Sequence, residues 1–342
     1  MEGASRRGFL QKTALGLGAG AAGLTAGAAA LAATDRPGRL PREVWVATVS
    51  HEGLEADNPE GMVRNYLERM KPLEASAPDI VCLPEIFPFC QSGPRRPVKE
   101  RAEKPIGPLS APFADYAKRN NCYVICPIYT VDNGRYYNAG VVFDRNGEVL
   151  GEYRKIHPTI SEIEYGLTPG PVEPPVFDTD FGKIGIQICY DIEWLDGWSR
   201  LSRAGAEIVF WPSAFAGGQK LNALAFLNRF HVVSSTQKDT CKICDVSGEE
   251  IGRTGRWNRW VCAPVNLEKA FLHTWPYIRR FNDVHAKYGR KVRITNLAEE
   301  EWTIIESRSP DVKVADVLKE FEMLTYRDHI GRAEIFQDKN RP

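Results

Sequence analysis

Residues Phe181 to Trp198 read F-G-K-I-G-I-Q-I-C-Y-D-I-E-W-L-D-G-W. From Lys183 to Ile188 the isoleucines recur at every second position, which predicts a short buried or half-buried strand. The run stops at Cys189, and charged and aromatic residues follow at once. A thiol placed there sits at the carboxyl end of a strand, where α/β sheets usually receive small ligands. Position alone leaves two readings open. Free cysteine is often a small core residue, and a single cysteine decides nothing without partners. The partners have to be sought at the ends of other strands.

Working outward, the chain alternates strands and helices. A strand is predicted over Val44 to Ser50, and Asn58-Pro59 starts a helix that runs to about Glu74. Met62, Tyr66, Leu67, Met70 and Leu73 keep helical spacing, and proline suits a first turn. A strand over Asp79 to Leu83 runs into Pro84-Glu85. Ser110 is expected to cap the next helix, which ends near Asn120-Asn121. Strands follow over Cys122 to Ile128, Tyr136 to Phe143 and Glu148 to Tyr153, separated by Asp132-Asn133-Gly134 and Arg145-Asn146-Gly147 turns. An acidic, loop-like run then reaches Gly170.

Beyond Cys189 come a helix around Gly197 to Ala204 and a strand over Glu207 to Trp211. A helix over Leu221 to Phe230 precedes strands at His231 to Ser235, Cys241 to Asp245 and Trp260 to Val265. This order indicates a layered α/β fold. Its helix–strand succession occurs twice, which suggests two similar halves. Residues 267–342 are richer in charge and aromatics, with one helix predicted over Asp316 to Met323, and read as a C-terminal extension.

Composition narrows the function classes. The chain has 342 residues, 43% of them hydrophobic, enough for a substantial core. Forty-four basic and 44 acidic side chains balance to zero, which argues against a nucleic-acid partner. Ser5-Arg6-Arg7-Gly8-Phe9-Leu10 resembles a twin-arginine export motif. An Ala/Gly-rich apolar region and a small-residue Ala30-Leu31-Ala32 site follow it. Residues 1–33 are therefore read as an export signal and the mature protein as periplasmic or extracellular. The many glycines disfavour the alternative, a membrane anchor. Eight cysteines lie mostly within apolar runs. Cys241-Lys-Ile-Cys244 is half of a zinc pattern with no second half, so no metal is expected.

Three polar residues come just past apolar runs: Glu85, Lys155 and Cys189. A sheet that brings them to one edge gives each a task. A thiol is only a few per cent thiolate at neutral pH and needs a base, which Glu85 supplies. Lys155 and the Tyr190 backbone N–H are placed to hold an oxyanion. Glu162, seven residues past Lys155, orients the lysine or a water. Against this stand plain readings: a surface glutamate, a solvated lysine, an acidic loop. Tyr190, Trp194 and Phe215 are candidates for the pocket wall or for the core.

Those residues also carry a resemblance. Leu83-Pro84-Glu85, Tyr153-Arg154-Lys155-Ile156-His157-Pro158-Thr159 with Glu162, and Gly185-Ile-Gln-Ile-Cys189-Tyr190-Asp191 resemble the three motif blocks of the nitrilase (carbon–nitrogen hydrolase) superfamily. The likeness spans about Val44 to Asn266, with a hydrolase domain placed at residues 42–266. It implies a four-layer α-β-β-α sandwich, no cofactor, a small-molecule substrate, and a homodimer or higher homo-oligomer. It implies Glu85 as general base, Lys155 as oxyanion stabiliser, Cys189 as nucleophile and Glu162 as an additional acid. The expected reaction is amide hydrolysis through a thioester. Nitrile hydrolysis, carbamoyl hydrolysis and a non-catalytic binding scaffold are the alternatives. Leu195-Asp196 stand where many relatives have Pro-Glu. Ile192 and Glu193 stand where carbamoyl amino acid hydrolases often carry arginine, which favours a neutral or cationic substrate.

Overall fold

The computed structural model describes residues 40–342; the predicted export signal lies outside the described residues. In chain order, β1 (Glu43–Val49), α1 (Pro59–Glu74), β2 (Ile80–Cys82), α2 (Ala111–Asn120), β3 (Tyr123–Asp132), β4 (Arg135–Phe143) and β5 (Val149–Arg154) build the first half. The short helix α3 (Ile160–Glu164) leads into β6 (Val176–Asp178), β7 (Lys183–Ile186), α4 (Leu195–Arg203), β8 (Ile208–Ser213), α5 (Gln219–Asn228), β9 (His231–Thr236), β10 (Lys242–Cys244) and β11 (Glu250–Arg253). Strand β12 (Trp260–Asn266) returns to the first half.

Two six-stranded sheets result, in the orders β12-β1-β2-β3-β4-β5 and β6-β7-β8-β9-β10-β11. Both repeat one pattern: an antiparallel pair, two parallel pairs, then two antiparallel pairs. The two similar halves expected from the sequence are present.

Strand alternation sorts the side chains into layers. Val44, Val46, Ile80, Cys82 and Ile125 of the first sheet pack against Ile184, Ile186, Ile208, Phe210 and Val233 of the second. The alternate residues Ala47, Val49, Val81 and Val124 face Met62, Tyr66, Met70 and Phe113 of α1 and α2. Val209, Trp211 and Val232 face Trp198, Leu201, Leu221 and Leu224 of α4 and α5. The section is thus helix, sheet, sheet, helix. Each fully buried Leu, Ile or Phe in these layers contributes about 1.5–3 kcal/mol. Gly185 lets α4 seat closely on β7, because a Cβ there would lie 2.7 Å from a Leu201 methyl group.

Local chemistry sets the helix starts. The Asn58 side chain accepts from the Gly61 N–H at 2.8 Å, and Pro59 stands in the first turn, as predicted. Ser110, by contrast, does not cap α2. Its hydroxyl is drawn instead to the Glu103 carboxylate, which also accepts the Ser110 N–H at 2.9 Å. The acidic run after Lys155 is not simply a loop. Thr159 and Glu162 form a capping box that opens α3. Strand β7 ends at Ile186, two residues before the predicted limit, because the chain turns into a short 3-10 helix at Cys189–Glu193.

The C-terminal residues hold more structure than the one predicted helix. Strands β13 (Lys269–His273), β14 (Val292–Leu297) and β15 (Trp302–Ser307) pair in the order β13-β15-β14, with helices α6 (Arg280–Tyr288), α7 (Val314–Glu320) and α8 (Tyr326–Lys339). Leu272, Val284, Ile305 and Val317 form its core. Phe271 and Ile304 join it to Val246 and Phe226 of the layered body.

Candidate active site

Topology brings the predicted residues together. Strand β2 runs parallel to β3, and two antiparallel steps through β4 return β5 to the same direction. Glu85, past β2, and Lys155, past β5, therefore lie at one end of the first sheet. Cys189 follows β7 of the facing sheet. Glu85, Lys155, Glu162 and Cys189 all line one cavity of about 540 Å³.

The Lys155 ammonium is the hub. Its Nζ lies 2.9 Å from Glu85 Oε1 and 3.0 and 2.8 Å from the two Glu162 oxygens, and the side chain is 2% exposed. Asn138 of β4 donates to Glu85 Oε1 at 2.8 Å and to Glu162 Oε1 at 3.0 Å, tying both carboxylates in place. The Thr159 N–H donates to Glu162 Oε2 at 2.8 Å, so the capping box of α3 aims this glutamate at the lysine. Gln237 donates to the Glu85 carbonyl at 2.7 Å. A buried charge is costly unless it is paired and hydrogen-bonded, and here each charged partner is.

Electrostatics follow from this packing. Burial opposes the Lys155 charge, but Glu85, Cys189 and Glu162 hold its pKa above that of ordinary lysine. Burial also opposes the Glu162 charge, yet Lys155, Thr159 and Asn138 together keep its pKa below the usual carboxylate value. The Cys189 thiol is pushed up to about 12, first by burial and then by the nearby Glu85 charge. Lys155, the Ala214 backbone and Ser213 act the other way. On balance, burial and the neighbouring Glu85 disfavour the Cys189 thiolate.

Backbone geometry presents that sulfur. Cys189 adopts φ +48° and Ile86, next to Glu85, φ +41°. Non-glycine residues seldom occupy this left-handed region, and such strain persists only where surrounding contacts impose it. Asp191 supplies many of those contacts. Its Oδ2 accepts from the Ile188 N–H at 2.9 Å and the Tyr153 hydroxyl at 2.7 Å. Its Oδ1 accepts from the His157 N–H at 2.8 Å and lies 2.9 Å from His157 Nδ1. Trp211 Nε1 donates to the Cys189 carbonyl at 3.1 Å. One buried carboxylate thus clamps the turn carrying Cys189 to the segment carrying Lys155.

Sequence reasoning assigned no role to Asp191 or Asn138. Asp191 stood two residues past the thiol, while Asn138 gave only the hint of an amide within an apolar strand. Tyr190, Trp194 and Phe215, the proposed pocket aromatics, are partly exposed and are not among the cavity's lining residues. Trp194 stacks on His157 at 4.0 Å, Tyr190 meets Trp194 edge-on, and Phe215 meets Trp211 edge-on. The cavity wall is built instead by Phe89, Tyr129, Arg101 and Ala214, among others. All eight cysteines are free thiols, and the described residues contain no cluster of His, Cys, Asp and Glu suited to a metal.

Known proteins are similar to this chain in sequence and in fold. The carbon-nitrogen hydrolase family model matches residues 55–270. A β-ureidopropionase from Arabidopsis thaliana is 32% identical over 52% of this chain and 47% of its own length. A deaminated glutathione amidase from Dictyostelium discoideum is 28% identical over 53% of this chain and 70% of its own. The matched stretch thus spans about half the length of the first of these relatives. An amidase from Nesterenkonia sp. superposes with a TM-score of 0.57 at 17% identity, over 66% of this chain and 91% of the amidase. A variant of that amidase was solved with the acetamide moiety of fluoroacetamide added covalently at the active-site cysteine. With its paired sheets, flanking helices and family match over more than half of its length, the chain belongs to the carbon–nitrogen hydrolase family.

Proposed function

We propose that the protein hydrolyses a small-molecule amide through a thioester on Cys189. The observation that carries this is the Cys189 thiol on a strained turn, sharing one cavity with a buried lysine held by two glutamates. In the first step Glu85 takes the thiol proton as the sulfur attacks the amide carbonyl. Lys155 and the Tyr190 N–H hold the oxygen that becomes negative, and Glu162 with Asn138 fixes the lysine. The carbon–nitrogen bond then breaks. Glu85 returns its proton to the leaving nitrogen, which departs as ammonia or an amine. Water, deprotonated by Glu85, next attacks the thioester, and the carboxylic acid leaves as Cys189 regains its proton. The adduct on a cysteine of the Nesterenkonia amidase supports the same role for Cys189.

A panel of amides, nitriles and ureides assayed with the parent and Cys189→Ala tests this reading. Ammonia or amine release from an amide, lost in a variant that melts like the parent, is expected. Full activity in Cys189→Ala would end it. Release of acid from nitriles alone would favour a thioimidate route at the same sulfur. We propose further that residues 1–33 direct export by the twin-arginine route. Lysine at both Arg6 and Arg7 should then retain the protein in the cytoplasm, and unchanged export would refute the assignment.

A further inference from the structure

The cavity wall carries three arginines that this chemistry does not use, Arg95, Arg96 and Arg101, and of these Arg101 alone is half-buried while the other two are exposed. Arg101 follows a short 3-10 turn at Val98–Glu100 and lines the same cavity as Cys189 and Lys155. Its guanidinium lies 4.1 Å from the centre of the Phe89 ring and 5.1 Å from that of Tyr129. One nitrogen donates to the Tyr165 hydroxyl at 3.1 Å. It is half-buried, yet it forms no ion pair with any described residue.

The segment that presents Arg101 is pinned. Val98 is buried against Tyr129 and Leu167. The Arg101 N–H donates to the Val98 carbonyl, and the Glu103 N–H to the Tyr129 carbonyl. The side chain is therefore held flat at a fixed place, with most of its five donors uncommitted. A planar, preoriented guanidinium that lacks an internal carboxylate suits an incoming one, which it can bind with two parallel hydrogen bonds.

We infer that Arg101 is the specificity-determining residue of the site, and that it receives a carboxylate at the far end of the substrate from the amide. This rests on the proposed function for the reacting end. The lack of arginine just past the cysteine led to the expectation of a neutral or cationic substrate; Arg101, supplied to the cavity wall from a different segment, reverses that expectation. Asp57, Glu60 and Glu100 also line the wall but are solvent-exposed, so water screens them more than Arg101.

The test uses calorimetric binding to Cys189→Ala, which needs no turnover. The probes are the monoamides of succinic, glutaric and adipic acid, each beside its neutral diamide isostere. At least one monoamide should bind about tenfold or more tightly than its diamide, the range of a charge-assisted pair. Adding Arg101→Met should abolish that preference, and Arg101→Lys should restore part of it. Lys99→Met, a change to an exposed cation of the same turn outside the cavity wall, should leave it intact. Equal binding of acid and diamide at every length overturns the inference, as does a preference that survives Arg101→Met. Tighter binding of inorganic phosphate than of any monoamide would overturn the carboxylate assignment. In the otherwise parent protein, Arg101→Met should raise KM for the acid more than it lowers kcat. Absence of turnover by the parent protein, with the binding preference intact, would count against the proposed hydrolysis and not against Arg101.

Discussion

Replacing Asp191 by asparagine removes a charge and one acceptor while keeping the shape. The parent carboxylate sits at 0% exposure and meets two donors on each oxygen. An amide must point its NH2 group at one of those pairs. Turned toward Oδ2's partners, it faces the Tyr153 hydroxyl, which can rotate to accept, and the Ile188 N–H, which cannot. Turned toward Oδ1's partners, it faces His157 Nδ1, which can switch tautomer, and the His157 N–H, which cannot. Either way one buried backbone N–H is orphaned, costing about 1–3 kcal/mol, and the surviving bonds lose their charge assistance. The sum is about 3 kcal/mol. At roughly 2–4 °C per kcal/mol for chains of this order, the melting midpoint should fall by about 6–12 °C. Thermal unfolding followed by circular dichroism measures this. Alkylation of Cys189 in the folded variant should slow as the strained turn relaxes. A midpoint within about 2 °C of the parent, with unchanged alkylation, would show that Asp191 does not hold the turn.

Other consequences follow from the same geometry. Lys155→Met should lower kcat by about 100- to 1,000-fold, the usual cost of losing one oxyanion donor, as steady-state kinetics on an accepted amide will show. Its two carboxylate partners would also be left uncompensated, so the variant should melt earlier. Burial and Lys269 depress the His231 pKa to about 4, against the pull of Asp245. Its folded pKa lies below the unfolded value near 6.5, so the unfolded chain binds the extra proton in between. Stability should therefore fall as pH drops from about 6.5 to about 4, by about 3 kcal/mol from this group. His231→Gln should flatten that part of the denaturation curve; an unchanged slope would refute the assignment. The depressed pKa of Glu162 acts lower, with stability present above about 4.3 and lost as pH falls through its folded value.

The layers, and the four candidate residues that the structure brings to one cavity, were legible because each leaves a local mark. Alternating isoleucines announced β7, and Glu85, Lys155 and Cys189 each follow an apolar run. Glu162 was legible as a carboxylate, but its presentation was not read: Thr159-Ile-Ser-Glu162 is a capping-box signature hidden in an acidic run. Asn138 and Asp191 act through partners 24 to 53 and 34 to 38 residues away. Nothing near them in sequence marks those contacts. Ser110 shows the converse, since a good capping residue was taken by Glu103. Among the C-terminal strands, β14 is mostly half-buried or exposed and shows no regular apolar alternation, whereas β13 and β15 are largely buried and carried a readable signal in Ala270-Phe271-Leu272 and Ile304-Ile305 that was missed. The cavity wall came from residues 89–101, a segment without periodicity, rather than from the aromatics beside the thiol.

Peptide mapping by mass spectrometry after treatment with fluoroacetamide tests the central claim most directly. The account predicts loss of fluoride and a single acetamide adduct on the peptide containing Cys189, formed far more slowly in Glu85→Gln. Adducts spread over the eight cysteines, or labelling of Cys189 at the parent rate without Glu85, would contradict it.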